Sequence, residues 1–399
     1  MLSASRQLTK ISGSYTPLLL NSEMVRRHGA QIYLKHEDKG IVRSYKWRGA
    51  YNNLVSSDAE AVVTCSAGNH AQGVAFACQK LGKKGYIFMP TITPQQKINK
   101  VKQFGGDSVE IFLEGGNFDE SFVSAKRFAD MKGTEFIHPF DNKKVIEGQS
   151  TVGVELFSQM GVKHIDYLFL PIGGGGLAAG VSSYIKLVSP DTKIIGVEPL
   201  GAPSMTAALK AGTVVGLDKI NTFVDGASVK RVGELNYPIC RDNLDDVLLI
   251  DEGHVCSKII QMYNECGFII EPAGVLALCA LDMYPRIKDS NVVCIVSGGN
   301  SDIFRMPEIL EKSLVYEGLK HYFKIHFAQK AGSLKKFVLE VLGPNDDIIY
   351  FRYTQLINKE HGPVIIGLQV SSKGDIDRII KSLECSGLDY EKLPSLTDV

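Results

Sequence analysis

The chain has 399 residues and balances 44 lysines and arginines against 44 acidic residues. A formal charge of zero excludes recognition of nucleic acid or of an anionic membrane through a strong basic field. With 44% hydrophobic and 22% charged residues, most of the chain is not disordered, and its length leaves room for two or three domains with cores of their own. Glycine, at 39 residues, exceeds the usual share of about 7% and points to tight turns and loops that hug a ligand.

A turn-and-strand pattern opens at Thr16-Pro17-Leu18. From there to about residue 310, short apolar runs alternate with helical stretches. The predicted strands are 31–35, 61–64, 85–89, 109–112, 167–170, 193–197 and 291–296, with helix-length segments such as 69–81 and 177–187 between them. Runs this apolar suit strands buried on both faces of a parallel sheet, and the alternation means α/β architecture with crossover helices. After about residue 315 the pattern changes. Residues 320–328, 347–353, 363–370 and 388–392 read as strands, with helices at 332–342 and 374–385. The order βαββαβ is the ferredoxin-like arrangement, a separate small domain.

Eight cysteines are scattered without a CxxC pair or a Cys/His cluster. They read as free thiols of a reducing compartment. No apolar run approaches the roughly 20 residues of a membrane span, and a cytoplasmic protein is expected.

Four segments carry chemistry. Ser44-Tyr45-Lys46-Trp47-Arg48-Gly49-Ala50 sets a lysine between aromatics. Desolvation there would lower the amine's pKa and make it a Schiff-base nucleophile, whereas the bland reading is a surface lysine. Cys65-Ser66-Ala67-Gly68-Asn69-His70-Ala71-Gln72-Gly73 lies at a strand-to-helix junction. Its amides and Ser66 suit a carboxylate, or Ser66 or Asn69 simply caps the helix and His70 is solvated. Ile172-Gly173-Gly174-Gly175-Gly176-Leu177 follows a strand and precedes a helix, the setting of a phosphate cup. It lacks the lysine of a P-loop and the spacing of a dinucleotide site. Val296-Ser297-Gly298-Gly299-Asn300 ends a buried strand, and its serine can face a neutral ring nitrogen or cap a helix.

A candidate Schiff-base lysine, a phosphate cup, a carboxylate nest and a lone serine are the parts of a pyridoxal phosphate site. In these segments the chain resembles the threonine dehydratase (threonine ammonia-lyase) family of the fold type II, tryptophan synthase β-like group. The resemblance extends to Thr16-Pro17-Leu18, His138-Pro139-Phe140-Asp141, Gly196-Val197-Glu198-Pro199 and Glu271-Pro272-Ala273-Gly274. It implies an α/β catalytic domain over 1–315 built from two parallel-sheet subdomains, the smaller, about 60–137, inserted in the larger. It further implies an ACT-like regulatory domain over 316–399.

Carried over by motif, the resemblance implies that Lys46 holds pyridoxal 5'-phosphate and then acts as base at the substrate Cα. Gly173, Gly174, Gly175, Gly176 and Leu177 would bind its phosphate, Asn69 its ring hydroxyl and Ser297 its pyridine nitrogen. Tyr45 would pack on the ring, and Ser66, Ala67, Gly68 and His70 would line the substrate-carboxylate pocket. The activity implied is elimination from L-threonine to 2-oxobutanoate and ammonia, the committed step of isoleucine biosynthesis. Isoleucine would inhibit and valine oppose it through the tail of a homotetramer or homodimer. The alternatives are a serine/threonine dehydratase or serine racemase of the same cofactor group, or an amino acid sensor without catalysis. Tyr45, Lys39-Gly40 and Ser150 depart from the family's usual residues. Racemases of the group bind a metal after Gly-Val-Glu-Pro. Here Glu198 and Ala202 match, but Ser204 replaces an aspartate, so no divalent site is expected.

Overall fold

The computed structural model describes residues 1–354 and 360–394. The chain divides into two compact units, Met1–Phe304 and Arg305–Val399.

The first unit holds two sheets. Its strands in chain order are β1 (Leu18–Leu20), β2 (Gln31–His36), β3 (Ala61–Cys65), β4 (Lys84–Met89), β5 (Val109–Leu113), β6 (Glu135–Phe136), β7 (Tyr167–Pro171), β8 (Lys193–Pro199), β9 (Asp246–Ile250) and β10 (Asn291–Val296). One sheet runs β1-β2-β10-β7-β8-β9, parallel except for the edge strand β1, and the other runs β5-β4-β3-β6, all parallel. Every predicted strand of this region is present. Strands buried on both faces write themselves into the sequence as continuous apolar runs, as Val292–Val296 shows. The pattern misses β9, whose first four residues are exposed or only half-buried, and the two-residue β6. The helix Pro272–Met283 is buried from Pro272 to Leu281, as befits a helix apolar on all sides.

Sequence motifs of this unit acquire structural reasons. Thr16 belongs to a buried ionic cluster that also contains Lys35, Glu37, Arg48 and Glu155. Arg48 reaches Glu37 through Nε at 2.8 Å and Glu155 through Nη1 at 2.6 Å, and Lys35 reaches Glu155 at 2.6 Å. Two cations and two anions cancel, the condition under which charges tolerate burial. Ser150 lies inside the helix Lys143–Met160, where its hydroxyl donates to Glu147 O at 2.6 Å. A mid-helix position does not need glycine's freedom.

The strands β3, β7 and β10 end, at their carboxyl edges, on Ser66–Asn69, Gly173–Gly176 and Ser297–Asn300. This is where open α/β sheets bind ligands.

The second unit begins with the helix Met306–Tyr316, anchored by Lys320 and the Tyr322 hydroxyl, both bonded to Glu311. Strands β11 (Lys320–Ala328), β12 (Asp347–Tyr353), β13 (His361–Gln369) and β14 (Asp389–Leu393) form an antiparallel sheet ordered β12-β13-β11-β14. The helices Ser333–Val341 and Asp375–Cys385 bury Phe337, Ile379 and Leu383 against Phe323, Ile325 and Ile366. The order βαββαβ and this strand sequence are those of the ferredoxin-like fold.

Candidate active site

Lys46 is the first residue of the helix Lys46–Val55. The turn before it is fixed to the loop after β10: Ser44 bridges Gly298, and Tyr45 N donates to Ser297 O at 3.1 Å. Two glycines bring neighbouring helices close. A Cβ on Gly49 would strike Gln149 and Val145, and one on Gly73 would lie 3.0 Å from the Lys46–Trp47 backbone. Lys46 Nζ donates to Pro139 O at 3.0 Å and lies 5.4 Å and 6.0 Å from the ring centres of Tyr45 and Phe140. Desolvation pulls its pKa down to about 8, against an opposing pull from Glu271. The amine is therefore partly neutral near physiological pH, as a nucleophile or base must be. Trp47 faces the other way, into a core with Phe76 and Leu54.

The amine stands in a cavity of about 1150 Å³. All the sequence-predicted site residues line it: Tyr45, Lys46, Ser66, Ala67, Gly68, Asn69, His70, Gly173 to Leu177 and Ser297. The glycine run turns from β7 into the helix Gly176–Val188, with Gly175 at φ 89°. A Cβ on Gly173 would lie 2.9 Å from Ala227 O, and one on Gly174 would fall into the Phe140 ring. Asn236 Nδ2 and Gly233 N pin Gly174 O at 2.7 Å and 3.1 Å. In a planar trans peptide this turns the Gly175 N–H away from Asn236. The first amides of the following helix have no acceptor within it. The result is an anion cup that glycine alone can form.

At the β3 edge the capping alternative is not realised. Gly68 occupies the N-cap of the helix Asn69–Leu81 without a side-chain cap, and Ser66 Oγ accepts from Gly68 N at 3.2 Å. Asn69 instead donates to Glu271 Oε1 at 2.7 Å. His70 is buried, not solvated. Its Nε2 lies 3.2 Å from Ile137 O and must donate to that carbonyl. Desolvation and the Lys46 charge hold its pKa near 3, so the ring is neutral and Nδ1 is an acceptor. Ser297 caps no helix either, and its hydroxyl donates to Ala273 O at 3.3 Å.

Three further residues of the cavity wall had no role in the sequence reading. His138 Nδ1 accepts from Asp141 N at 2.9 Å, and burial lowers its pKa to about 4. Asn300 and Glu271 complete a hydrogen-bonded ring with Asn69. Burial, reinforced by Asp225, raises the Glu271 pKa to about 7. The Glu-Pro-Ala-Gly motif marked Glu271 in the sequence, but nothing local to the motif showed Asn69, the distant partner that gives the carboxylate its place.

Glu198 is spent on structure. Its carboxylate accepts from Met205 N at 2.6 Å and from Thr206 N and Oγ1 at 2.9 and 2.7 Å, closing the start of the helix Ser204–Ala211. Among the described residues, no group of three or more His, Cys, Asp or Glu side chains is placed to hold a metal. No described helix is long and apolar enough to cross a membrane.

Comparison with known proteins agrees in both parts of the chain. Residues 11–298 match the pyridoxal-phosphate dependent enzyme family, and residues 311–397 match the C-terminal regulatory domain of threonine dehydratase. A biosynthetic L-threonine dehydratase of Halalkalibacterium halodurans is 49% identical over 384 residues, covering 95% of this chain and 92% of that one. Among solved structures, the processed form of threonine deaminase isoform 2 from Solanum lycopersicum superposes with a TM-score of 0.71 at 41% identity, over 75% of this chain and 83% of that one. Maize serine racemase gives 0.70 at 30% identity, over 79% of this chain and 98% of that one.

Proposed function

The chain belongs to the pyridoxal-phosphate dependent enzyme family, and we propose that it is a biosynthetic threonine dehydratase. It removes water from L-threonine, and the resulting 2-aminocrotonate hydrolyses to 2-oxobutanoate and ammonia. The observation that carries this reading is the juxtaposition of a desolvated lysine, a glycine cup and Ser297 around one cavity, in a chain that also bears the regulatory domain.

The cavity fits pyridoxal 5'-phosphate. The cup admits an anion only because its residues lack side chains. His70 Nδ1, Gln72 Oε1 and Ser228 Oγ, all from cavity-lining residues, are buried without protein partners, which suits a polar guest. Gly173 to Leu177 would hold the phosphate, Asn69 the ring hydroxyl and Ser297 the ring nitrogen, with Tyr45 against the ring face. When bound, the cofactor supplies an electron sink for the pair left at Cα.

The chain's own residues do the rest. Lys46, with its depressed pKa, takes the proton from Cα. The Ser66 hydroxyl, the Ala67 amide and the first amides of the 13-residue helix Asn69–Leu81 bind the substrate carboxylate with the helix dipole behind them, since Ser66 N and Gly68 N are taken by Phe88 O and Ser66 Oγ. Neutral His70 lends that pocket no charge and walls it from solvent. A serine at the ring nitrogen cannot keep it protonated as a carboxylate would. Ser297 would thereby leave the bound group a weaker sink, which would favour prompt loss of the β-hydroxyl over slower side reactions.

The second unit supports feedback control, with isoleucine inhibiting and valine opposing it through a shift between quaternary states. A single ACT-like copy pairs with a neighbour's, which favours a homotetramer, with a homodimer next. The catalytic part is assigned to residues 1–315, with 60–137 as its inserted smaller part, and the regulatory part to 316–399. A cytoplasmic location accords with the free cysteines. The test is 2-oxobutanoate release from L-threonine by the cofactor-loaded protein. Absence of release, or racemisation of serine in its place, would reject the reading.

A further inference from the structure

Glu271 is a buried carboxylate in the cavity wall, and the proposed reaction leaves it without a part. It occupies the N-cap of the helix Pro272–Met283, yet its side chain makes no capping bond. Its two oxygens are turned elsewhere. Oε1 accepts from Asn69 Nδ2 at 2.7 Å, and Oε2 accepts from Asn300 N at 3.1 Å. The backbone makes room for this arrangement, since a Cβ on Gly298 would collide with the carboxylate.

The orientation of Asn69 follows from its neighbours. The Asn300 amide is fixed on both sides, because Nδ2 donates to Val42 O at 2.8 Å while Oδ1 accepts from Lys100 Nζ at 3.1 Å. Its second N–H donates to Asn69 Oδ1 at 2.7 Å. Asn69 must therefore present its oxygen to Asn300 and its nitrogen to Glu271. One N–H of Asn69 then remains for a guest, and Asn69 meets that guest as a donor. A carboxylate suits the Glu271 position because it accepts from two N–H groups at once. An amide would have to turn its own NH2 towards one of them.

We propose that Glu271 is a positioning residue, which locks the Asn69 amide so that its remaining N–H is offered to the ring oxygen of the bound cofactor. The inference rests on the reading of Asn69 as a cofactor contact. Its test compares the wild-type holoenzyme with Glu271→Gln, Asn69→Ala and the double variant. Two quantities are read: the dissociation constant of pyridoxal 5'-phosphate, followed by Trp47 fluorescence, and the absorbance spectrum of the bound cofactor. Each single variant is expected to bind the cofactor roughly tenfold more weakly, the scale of one charge-assisted hydrogen bond, and to shift its absorbance. The double variant should be no worse than Asn69→Ala within about twofold, because both changes remove one contact. If Asn69→Ala loosens the cofactor and Glu271→Gln does not, the inference falls and the Asn69 reading stands. Losses that multiply to roughly a hundredfold in the double variant would also overturn it, as independent contacts do. A silent Asn69→Ala overturns the contact itself, and the inference with it. Should Glu271→Gln fail to fold, Glu271→Asp is read on the same two measurements. It keeps the charge but is too short to reach both donors, so it should show part of the loss, and wild-type behaviour would refute the proposal.

Discussion

Replacing Arg48 by methionine would remove one cation from the buried cluster and keep most of its volume. Arg48 makes six hydrogen bonds there: two to Glu37, two to Glu155 and one each to Thr151 and Thr16. Without it, Lys35 alone faces two buried carboxylates. Glu155 keeps Lys35, while Glu37 is left with the Thr16 hydroxyl at 2.6 Å. Breaking a buried pair in this way costs about 3–5 kcal/mol. A unit of 304 residues has an unfolding entropy of about 0.6 kcal/mol/K, so the melting temperature should fall by about 5–8 °C. Arg48→Lys keeps the charge with fewer donors and should lose about half as much. Trp47, the sole tryptophan, is buried in this same unit, so its fluorescence reports the relevant transition. A fall below about 2 °C for Arg48→Met, or equal losses for the two variants, would refute the argument that charge balance holds this cluster.

Three more outcomes follow from the site. Gly174→Ala would drive a methyl into the Phe140 ring, and cofactor affinity, measured by absorbance after dialysis, should fall more than about tenfold. Wild-type retention would refute the cup. In the cofactor-free protein, the rate at which an amine-directed reagent labels Lys46, followed by mass spectrometry, should rise with pH around a midpoint of about 8; a midpoint near 10.5 would mean a solvated lysine. The same depression means that the unfolded chain binds the extra proton between pH 8 and 10.5, so this residue's contribution to stability rises across that window. His138, lowered to about 4, is neutral in both states above pH 6.5. Stability is lost as pH falls from 6.5 towards 4, where only the unfolded chain takes up the proton. His138→Asn, which can still accept from Asp141 N, should lose less melting temperature than wild type between pH 7 and 5, and identical losses would contradict the assignment.

What the sequence made legible was what is local. The parallel strands of the first unit stood out because burial on two faces leaves an apolar run, and β11 of the second unit because alternation survives along part of it. The residues lining the cavity were legible where special geometry needs special residues, as at Gly173–Gly176 and Lys46. Glu271, Asn300 and His138 were not assigned roles. Each acquires its meaning from a partner far along the chain: Glu271 from Asn69, Asn300 from Val42 and Lys100, and His138 from the wall it shares with Lys46. Arg48 was hidden for a related reason. A charge two residues after the lysine reads as solvent-facing until Glu37 and Glu155 are seen to enclose it.

Dehydratase activity and its control are both read from 2-oxobutanoate release from L-threonine by the full-length, cofactor-loaded protein, with and without isoleucine. The expected result is release that isoleucine suppresses and valine restores. Release untouched by isoleucine would contradict the part assigned to residues 316–399, and no release from threonine would contradict the dehydratase itself.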